Sequence, residues 1–183
     1  MEQAIEGKPW LSPFLPTCAA DIVAFLDFAA VTADDIIVDI GCGDGRHCQG
    51  LTLPAPPAAA AAADDTASGG VGVDVSDECV ATARGMAEAE GVADLLQWHA
   101  TDITGQGHDE VLEQNGPPTV VYLYVYPTLL TQLRPVVRRL CERGAHVVTV
   151  QYHFDGWRAR AARDGPPSMR LHAHPIDDDD ANT

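Results

Sequence analysis

The sequence of 183 residues has few basic side chains, with 11 Lys and Arg against 27 Asp and Glu and a formal net charge of −16. A surface this acidic repels nucleic-acid phosphates, so we expect no nucleic-acid partner. The same charge suits a basic protein partner, although much of it could simply keep the protein soluble. The composition carries no information on the oligomeric state.

Long apolar runs and paired cysteines are also missing. No run reaches the roughly 18 residues that a membrane-spanning helix needs. The start, residues 1–6, is acidic rather than basic as in a signal or transit peptide. We therefore expect a cytoplasmic protein without a membrane span. The five cysteines include no C-x-x-C pair, which indicates free thiols in a reducing compartment.

Short β-branched runs alternate with apolar residues at helical spacing along most of the chain. Helices are predicted over residues 19–29, 77–90 and 127–143, and strands over residues 36–40, 71–75, 95–100, 119–125, 145–151 and, more weakly, 169–174. This alternation predicts an α/β fold in a single domain, with a Rossmann-like, doubly wound and mostly parallel sheet. Ligands of such sheets bind at the carboxyl ends of the strands.

The composition divides the chain into four parts. Residues 1–17 form a proline-rich, extended N-terminal segment, and residues 18–176 form the folded domain. Within that domain, residues 54–70 are rich in Pro, Ala, Asp and Gly, which indicates a low-complexity insertion. Residues 177–183 form an acidic tail.

A glycine-rich turn follows the first predicted strand. The strand ends at Asp39 and continues into Gly41-x-Gly43-x-Gly45. Glycines allow positive φ and close approach of a ligand, and the next helix offers free amide donors. A nucleotide-dependent oxidoreductase would fit such a turn, but Arg46 stands where the dinucleotide fingerprint requires glycine or alanine.

Acidic residues close the next two predicted strands. Asp74 ends the second, where a carboxylate can accept both ribose hydroxyls of an adenosine. Asp102 follows the third. With Cys42 and Cys48, His47 gives the pattern C-x4-H-C, which lacks the paired spacing of zinc sites, so no metal site is predicted.

Three segments in this order resemble the class I S-adenosylmethionine (SAM) dependent methyltransferases. Segment 38–45 is similar to their first motif, segment 72–75 to their second strand with its ribose-binding acid, and segment 100–103 to the part that meets adenine. The resemblance implies SAM as cofactor. The cofactor-binding residues that it implies are Thr17, Asp39, Gly41, Cys42, Gly43, Asp44, Gly45, Asp74, Val75, Asp102 and Ile103. For Asp44, a contact with the methionine amino group and a helix-capping role both stay open.

Further segments are similar to a small methyltransferase family. They are residues 13–17, 43–46, 123–127 and 144–148, followed by Phe154 and Trp157. The family contains bacterial members of unassigned substrate and eukaryotic lysine methyltransferases of mitochondrial proteins such as the ATP synthase c subunit. The resemblance covers roughly residues 13–157. A mitochondrial location would follow from it, but the chain shows no targeting segment.

This resemblance implies N-methylation of a protein lysine by direct in-line transfer. Tyr124 and Tyr126, at the end of the fourth predicted strand, are the candidate catalytic residues, because aromatic faces can hold a cationic substrate. Both could equally be ordinary strand residues. Candidates for the rim of the acceptor site are Thr17, Tyr152, His153 and Trp157. A noncatalytic SAM-binding module and a methyltransferase of a small molecule are the alternatives.

Overall fold

The computed structural model describes residues 17–52, 69–104 and 108–176. The helices are α1 (Ala19–Ala29), α2 (Arg46–Thr52), α3 (Asp77–Glu90), α4 (Asp109–Leu112) and α5 (Pro127–Glu142), with a 3-10 turn at Ala93–Leu95. The strands are β1 (Ile36–Ile40), β2 (Gly69–Asp74), β3 (Leu96–Ala100), β4 (Val120–Leu123), β5 (His146–Val150), β6 (Ala161–Arg163) and β7 (Met169–His172).

These strands form one sheet in the order β3-β2-β1-β4-β5-β7-β6. Strands β1 to β5 pair in parallel, whereas β7 pairs antiparallel with β5 and β6 antiparallel with β7. The predicted doubly wound, mostly parallel sheet is thereby confirmed. Dinucleotide-binding sheets have the order 3-2-1-4-5-6, so the antiparallel β7 between β5 and β6 distinguishes this fold from them.

Apolar side chains cover both faces of the sheet. On one face, Val38 of β1 and Val147 of β5 pack against a helix layer that includes Leu133 of α5. On the other face, Ile37 of β1 packs with Phe25 of α1. Burial on both faces explains why the central strands are nearly continuous apolar runs in the sequence.

Local signals set the ends of α3, as the sequence predicted. Ser76 is the N-cap, and its hydroxyl accepts a hydrogen bond from the Cys79 N–H at 3.2 Å. Gly91 is the C-cap with φ 74°, a left-handed conformation that glycine adopts without strain. Pro127 lies in the first turn of α5, where its missing N–H costs nothing.

Several predicted boundaries differ from the structure. Strand β2 begins at Gly69, so the last two residues of the predicted insertion, Gly69 and Gly70, belong to the sheet. Strand β4 ends at Leu123, and Tyr124 lies between it and α5. The exposed strand β6 was not predicted, because its residues show no apolar alternation. The predictions for residues 1–16, 54–68 and 177–183 lie outside the described residues.

Among the helices that the structure describes, none is both long and apolar enough to cross a bilayer. All five cysteines lie in the described ranges, and each carries a free thiol.

Candidate active site

The loop from Gly41 to Gly45 connects β1 to α2 at the carboxyl edge of the sheet, where β1 lies between β2 and β4. Its three glycines have φ values of 85°, 54° and 78°. A Cβ on Gly41 would lie 2.8 Å from Val125 Cγ1, and one on Gly45 would lie 2.4 Å from Trp98 Cη2. Both the backbone conformation and the close neighbours therefore require glycine at these two positions.

Strand β2 holds this loop in place. The N–H groups of Gly41 and Cys42 both donate to the Val73 carbonyl, at 2.8 and 3.0 Å. The Gly43 N–H donates to Asp74 Oδ2 at 2.9 Å, and the Ser76 N–H donates to Asp74 Oδ1 at 2.9 Å. A carboxylate can accept about four hydrogen bonds. Asp74 can therefore hold the loop and still accept ribose hydroxyls.

The ends of β2 and β3 lie side by side, with Asp74 paired to Ala100. Val75, just beyond β2, is 48% exposed, which is unusual for a valine and leaves an apolar surface beside the Asp74 carboxylate. Asp102 Oδ1 accepts hydrogen bonds from the N–H and the hydroxyl of Thr104, at 3.0 and 2.7 Å. Ile103, also predicted beside adenine, is buried in the core.

Asp44 forms an ion pair with Arg46. The Arg46 Nε lies 2.9 and 3.1 Å from the two Asp44 carboxylate oxygens, and Nη2 also contacts Oδ2. The Arg46 N–H also donates to Asp44 Oδ1 at 3.4 Å. Asp44 lies two residues before the start of α2, so this contact is not the N-cap bond to the second or third helical N–H. The capping role of Asp44 and its contact with a methionine amino group both stay predictions.

Asp39 is 2% exposed and lies beneath the loop. Burial raises the pKa of Asp39 to about 8, with a further contribution from the charge of Asp74. His47 Nδ1 lies 3.7 Å from Asp39 Oδ2, too far for a hydrogen bond, and burial lowers the pKa of His47 to about 3. Both side chains are therefore mainly uncharged at neutral pH.

Aromatic contacts continue this buried cluster toward α1. The His47 ring stacks on Tyr122 with centroids 3.4 Å apart, and Phe25 meets both rings edge-on at 5.0 Å. The Tyr122 hydroxyl lies 3.4 Å from Thr17 Oγ1, so Thr17 is buried beside this cluster. In the described ranges, no three His, Cys, Asp or Glu side chains converge as a metal site.

The two candidate catalytic tyrosines follow β4 at the same edge of the sheet. Tyr126 is the N-cap residue of α5, and its ring lies 5.0 Å from that of Tyr152 at an interplanar angle of 32°. Partial burial raises the pKa of Tyr124, and the charges of Asp21 and Tyr126 raise it further. The charge of Asp21 therefore acts on the partly buried ring of Tyr124.

Asp21 was not among the predicted site residues. Asp21 lies in the first turn of α1, where an acid is already explained by the helix dipole. Its approach to Tyr124 depends on how α1 packs on the sheet. The structure thus brings together the glycine loop, Asp74, Val75 and Asp102; it pairs Tyr152 with Tyr126, and it adds Asp21, whose charge acts on Tyr124.

Sequence comparison identifies a similar protein of known activity. A protein-lysine N-methyltransferase of Saccharolobus islandicus strain REY15A is 27% identical over 148 residues, which are 81% of each chain. No protein-family model matches the chain.

Solved structures show the same fold. An RNA methyltransferase from Salinibacter ruber in complex with S-adenosyl-L-homocysteine (SAH) superposes with a TM-score of 0.69 at 24% identity, over 86% of this chain and 92% of its own. The ribosomal protein L11 methylase of Lactobacillus delbrueckii superposes with a TM-score of 0.58 at 14% identity, over 84% of this chain and 77% of its own. At these identities, the similarity establishes the fold.

Proposed function

We propose that this chain, a class I SAM-dependent methyltransferase by its fold, its motifs and its similar proteins, methylates a lysine side chain of a protein. We infer the acceptor from the residues at the edge of the sheet beside the glycine loop. There the charge of Asp21 acts on Tyr124, and the ring of Tyr126 lies 5.0 Å from that of Tyr152. Aromatic faces and a carboxylate both attract an ammonium group.

The residues of the loop suit SAM. The Gly41–Gly45 loop has three positive φ values, which glycine adopts without strain, and it lies at the carboxyl edge of the sheet, where ligands of such folds bind. Asp74 offers acceptors for the ribose, and Val75 offers an exposed apolar surface for the adenine. Asp102 would accept from the adenine amino group. When bound, SAM supplies a methyl carbon that is activated by its sulfonium.

The acceptor amine must be deprotonated before attack. A lysine ammonium first loses a proton to solvent, and its nitrogen lone pair then forms a bond to the methyl carbon as the carbon–sulfur bond breaks. The bonding pair stays on sulfur, and the methylated amine carries the positive charge. In this reaction, Tyr124 and Tyr126 hold and orient the amine about 3 Å from the carbon. Asp21 favours the approach of the cation.

An RNA acceptor is the second candidate, because the superposed Salinibacter ruber protein is an RNA methyltransferase. The net charge of −16 argues against it, since RNA binding requires a basic surface. Two arginines of α5, Arg134 and Arg138, stack on Trp157 at 5.4 and 5.3 Å. Their guanidinium groups are thus engaged with the protein itself. The protein acceptor therefore has the stronger support.

The direct test is to incubate the protein with methyl-labelled SAM and two separate pools, nuclease-treated cell protein and purified total RNA. Mass spectrometry then locates the label. We expect methyl-lysine in the protein pool and none in RNA. Label in RNA alone would overturn the proposal, and so would SAH binding without label in either pool, which is the behaviour of a noncatalytic module.

The role of Asp21 has a matched control on the same helix. Asp21→Asn should raise the KM for the protein acceptor, while Asp27→Asn, which changes an exposed acid farther along α1, should not. Affinity for SAH should be equal in both variants. Equal KM values would show that Asp21 takes no part in acceptor binding.

A further inference from the structure

The turn that follows β5 has an unusual backbone. Gln151 has φ 65°, and the only other described non-glycine residue with positive φ is Ala30 at the end of α1. The N–H of Tyr152 donates to the Val150 carbonyl at 2.7 Å, which closes a three-residue turn centred on Gln151. Such a turn is rare and strained for a residue with a side chain.

Contacts on both sides hold this turn in place. The Gln151 N–H donates to the Ser168 carbonyl at 2.8 Å. The ring of His153 lies between two hydroxyls, with Nδ1 2.8 Å from Thr149 Oγ1 and Nε2 3.1 Å from Ser168 Oγ. Strained backbone persists only where the surroundings over-determine it, and it is concentrated at functional sites.

The result of the turn is the position of Tyr152. Its ring lies 5.0 Å from that of Tyr126, and it packs against the apolar layer on the α5 face of the sheet. Tyr124 packs against the opposite layer, with α1. Partial burial and the neighbouring Tyr126 raise the pKa of Tyr152, with a smaller contribution from Tyr124. Tyr126 and Tyr152 thus form a ring pair at the carboxyl edge, and Tyr124 packs on the other side of the sheet.

We propose that Tyr152 is a third residue of the acceptor site, binding the cationic side chain together with Tyr126, and that Gln151 positions it. This inference rests on the proposed function. Two neighbouring rings, 5.0 Å apart, can both turn a π-face toward one ammonium group. The strained turn at Gln151 then has a functional role, which is to place the Tyr152 ring beside that of Tyr126.

The test measures cation binding rather than turnover. Tetramethylammonium chloride is titrated into the SAH-saturated protein, and the shifts of isotope-labelled tyrosine ring signals are followed by NMR. tert-Butanol, a neutral molecule of similar size, is the comparison probe. We expect Tyr152→Phe to bind the cation like the wild type, and Tyr152→Leu to bind it about 3-fold to 30-fold more weakly. Binding of tert-butanol should change little.

The positioning role of Gln151 is tested with two further variants. Asparagine tolerates positive φ and valine does not. Gln151→Asn should therefore keep the cation affinity, and Gln151→Val should lower it as Tyr152→Leu does. The circular dichroism spectrum identifies a variant that fails to fold, in which case the Tyr152 pair decides.

The outcomes separate this inference from the proposed function. If lysine is labelled but Tyr152→Leu binds the cation as the wild type does, Tyr152 is not part of the acceptor site and the methyltransferase proposal stands. If both Tyr152 variants lose the cation and tert-butanol equally, the ring has a structural role only, and the inference is wrong. Label in RNA alone would overturn both.

Discussion

Replacing Gly45 by alanine tests whether the cofactor loop is shaped by contacts as well as by backbone conformation. A Cβ at this position would lie 2.4 Å from Trp98 Cη2 and 2.6 Å from the Ala83 Cβ. Trp98 is buried in a cluster with Ala83, so neither neighbour can move freely. The variant therefore suffers a steric clash in addition to an unfavourable φ of 78°.

Gly91 provides the matched control. Its φ is 74°, nearly the same as that of Gly45, but a Cβ there would have no neighbour within 4 Å. Gly91→Ala should therefore lose only the conformational term, about 1–2 kcal/mol. Gly45→Ala should lose the same amount plus about 1–3 kcal/mol for overpacking. At about 2–4 °C per kcal/mol, the melting temperature of Gly45→Ala should lie roughly 2–12 °C below that of Gly91→Ala.

Urea unfolding and SAH calorimetry measure the two effects. We expect Gly45→Ala to lower both the free energy of unfolding and the SAH affinity, and Gly91→Ala to lower only the former. Adding Trp98→Leu to Gly45→Ala should recover part of the loss, because contacting residues are coupled. Equal destabilisation by the two alanine variants would refute the argument that Trp98 shapes the loop.

Three other predictions concern single side chains. Asp74→Asn should weaken SAH binding about 10-fold to 100-fold, as expected for the loss of hydrogen bonds to a charged group, whereas Asp94→Asn should not; calorimetry measures both. Because burial raises the pKa of Asp39 to about 8, its stabilising contribution is complete below about pH 4 and is lost as the pH rises through 8. Between pH 5 and 8.5, the free energy of unfolding, measured by urea titration, should therefore fall more for the wild type than for Asp39→Asn. Parallel pH profiles of the two proteins would contradict this pKa. Ser76→Ala should lower the free energy of unfolding, measured by urea titration, by about 1 kcal/mol, because α3 loses its N-cap. An unchanged free energy of unfolding would mean that the Cys79 N–H finds another acceptor.

Much of the fold could be predicted because its signals are local. The apolar run 36–40 coincides with β1, and the Ser76 cap and Gly91 stop coincide with the ends of α3. Strand β6 was not predicted, because all of its residues are exposed and its sequence therefore shows no burial pattern. Its place in the sheet comes from pairing with β7.

In the candidate site, too, residues with local signals were predicted, whereas contacts between distant residues were not. The positive φ values of Gly41, Gly43 and Gly45 could be predicted from the sequence, because glycine adopts such values without a Cβ clash. The stacking of His47 on Tyr122 and the pairing of Tyr126 with Tyr152 join residues that are distant in sequence. No periodicity encodes such pairs.

The sequence by itself determined the alternation of strands and helices, the glycine loop and the order of the acids that follow β2 and β3. Steric limits on φ and ψ and the burial periods of helix and strand act within a few residues, so they can be read from one chain. Only the tertiary structure decided that Asp74 holds Gly43 from 31 positions away, and that Tyr152 meets Tyr126. These contacts depend on strand order and on strained turns, which are set by the packing of the whole domain.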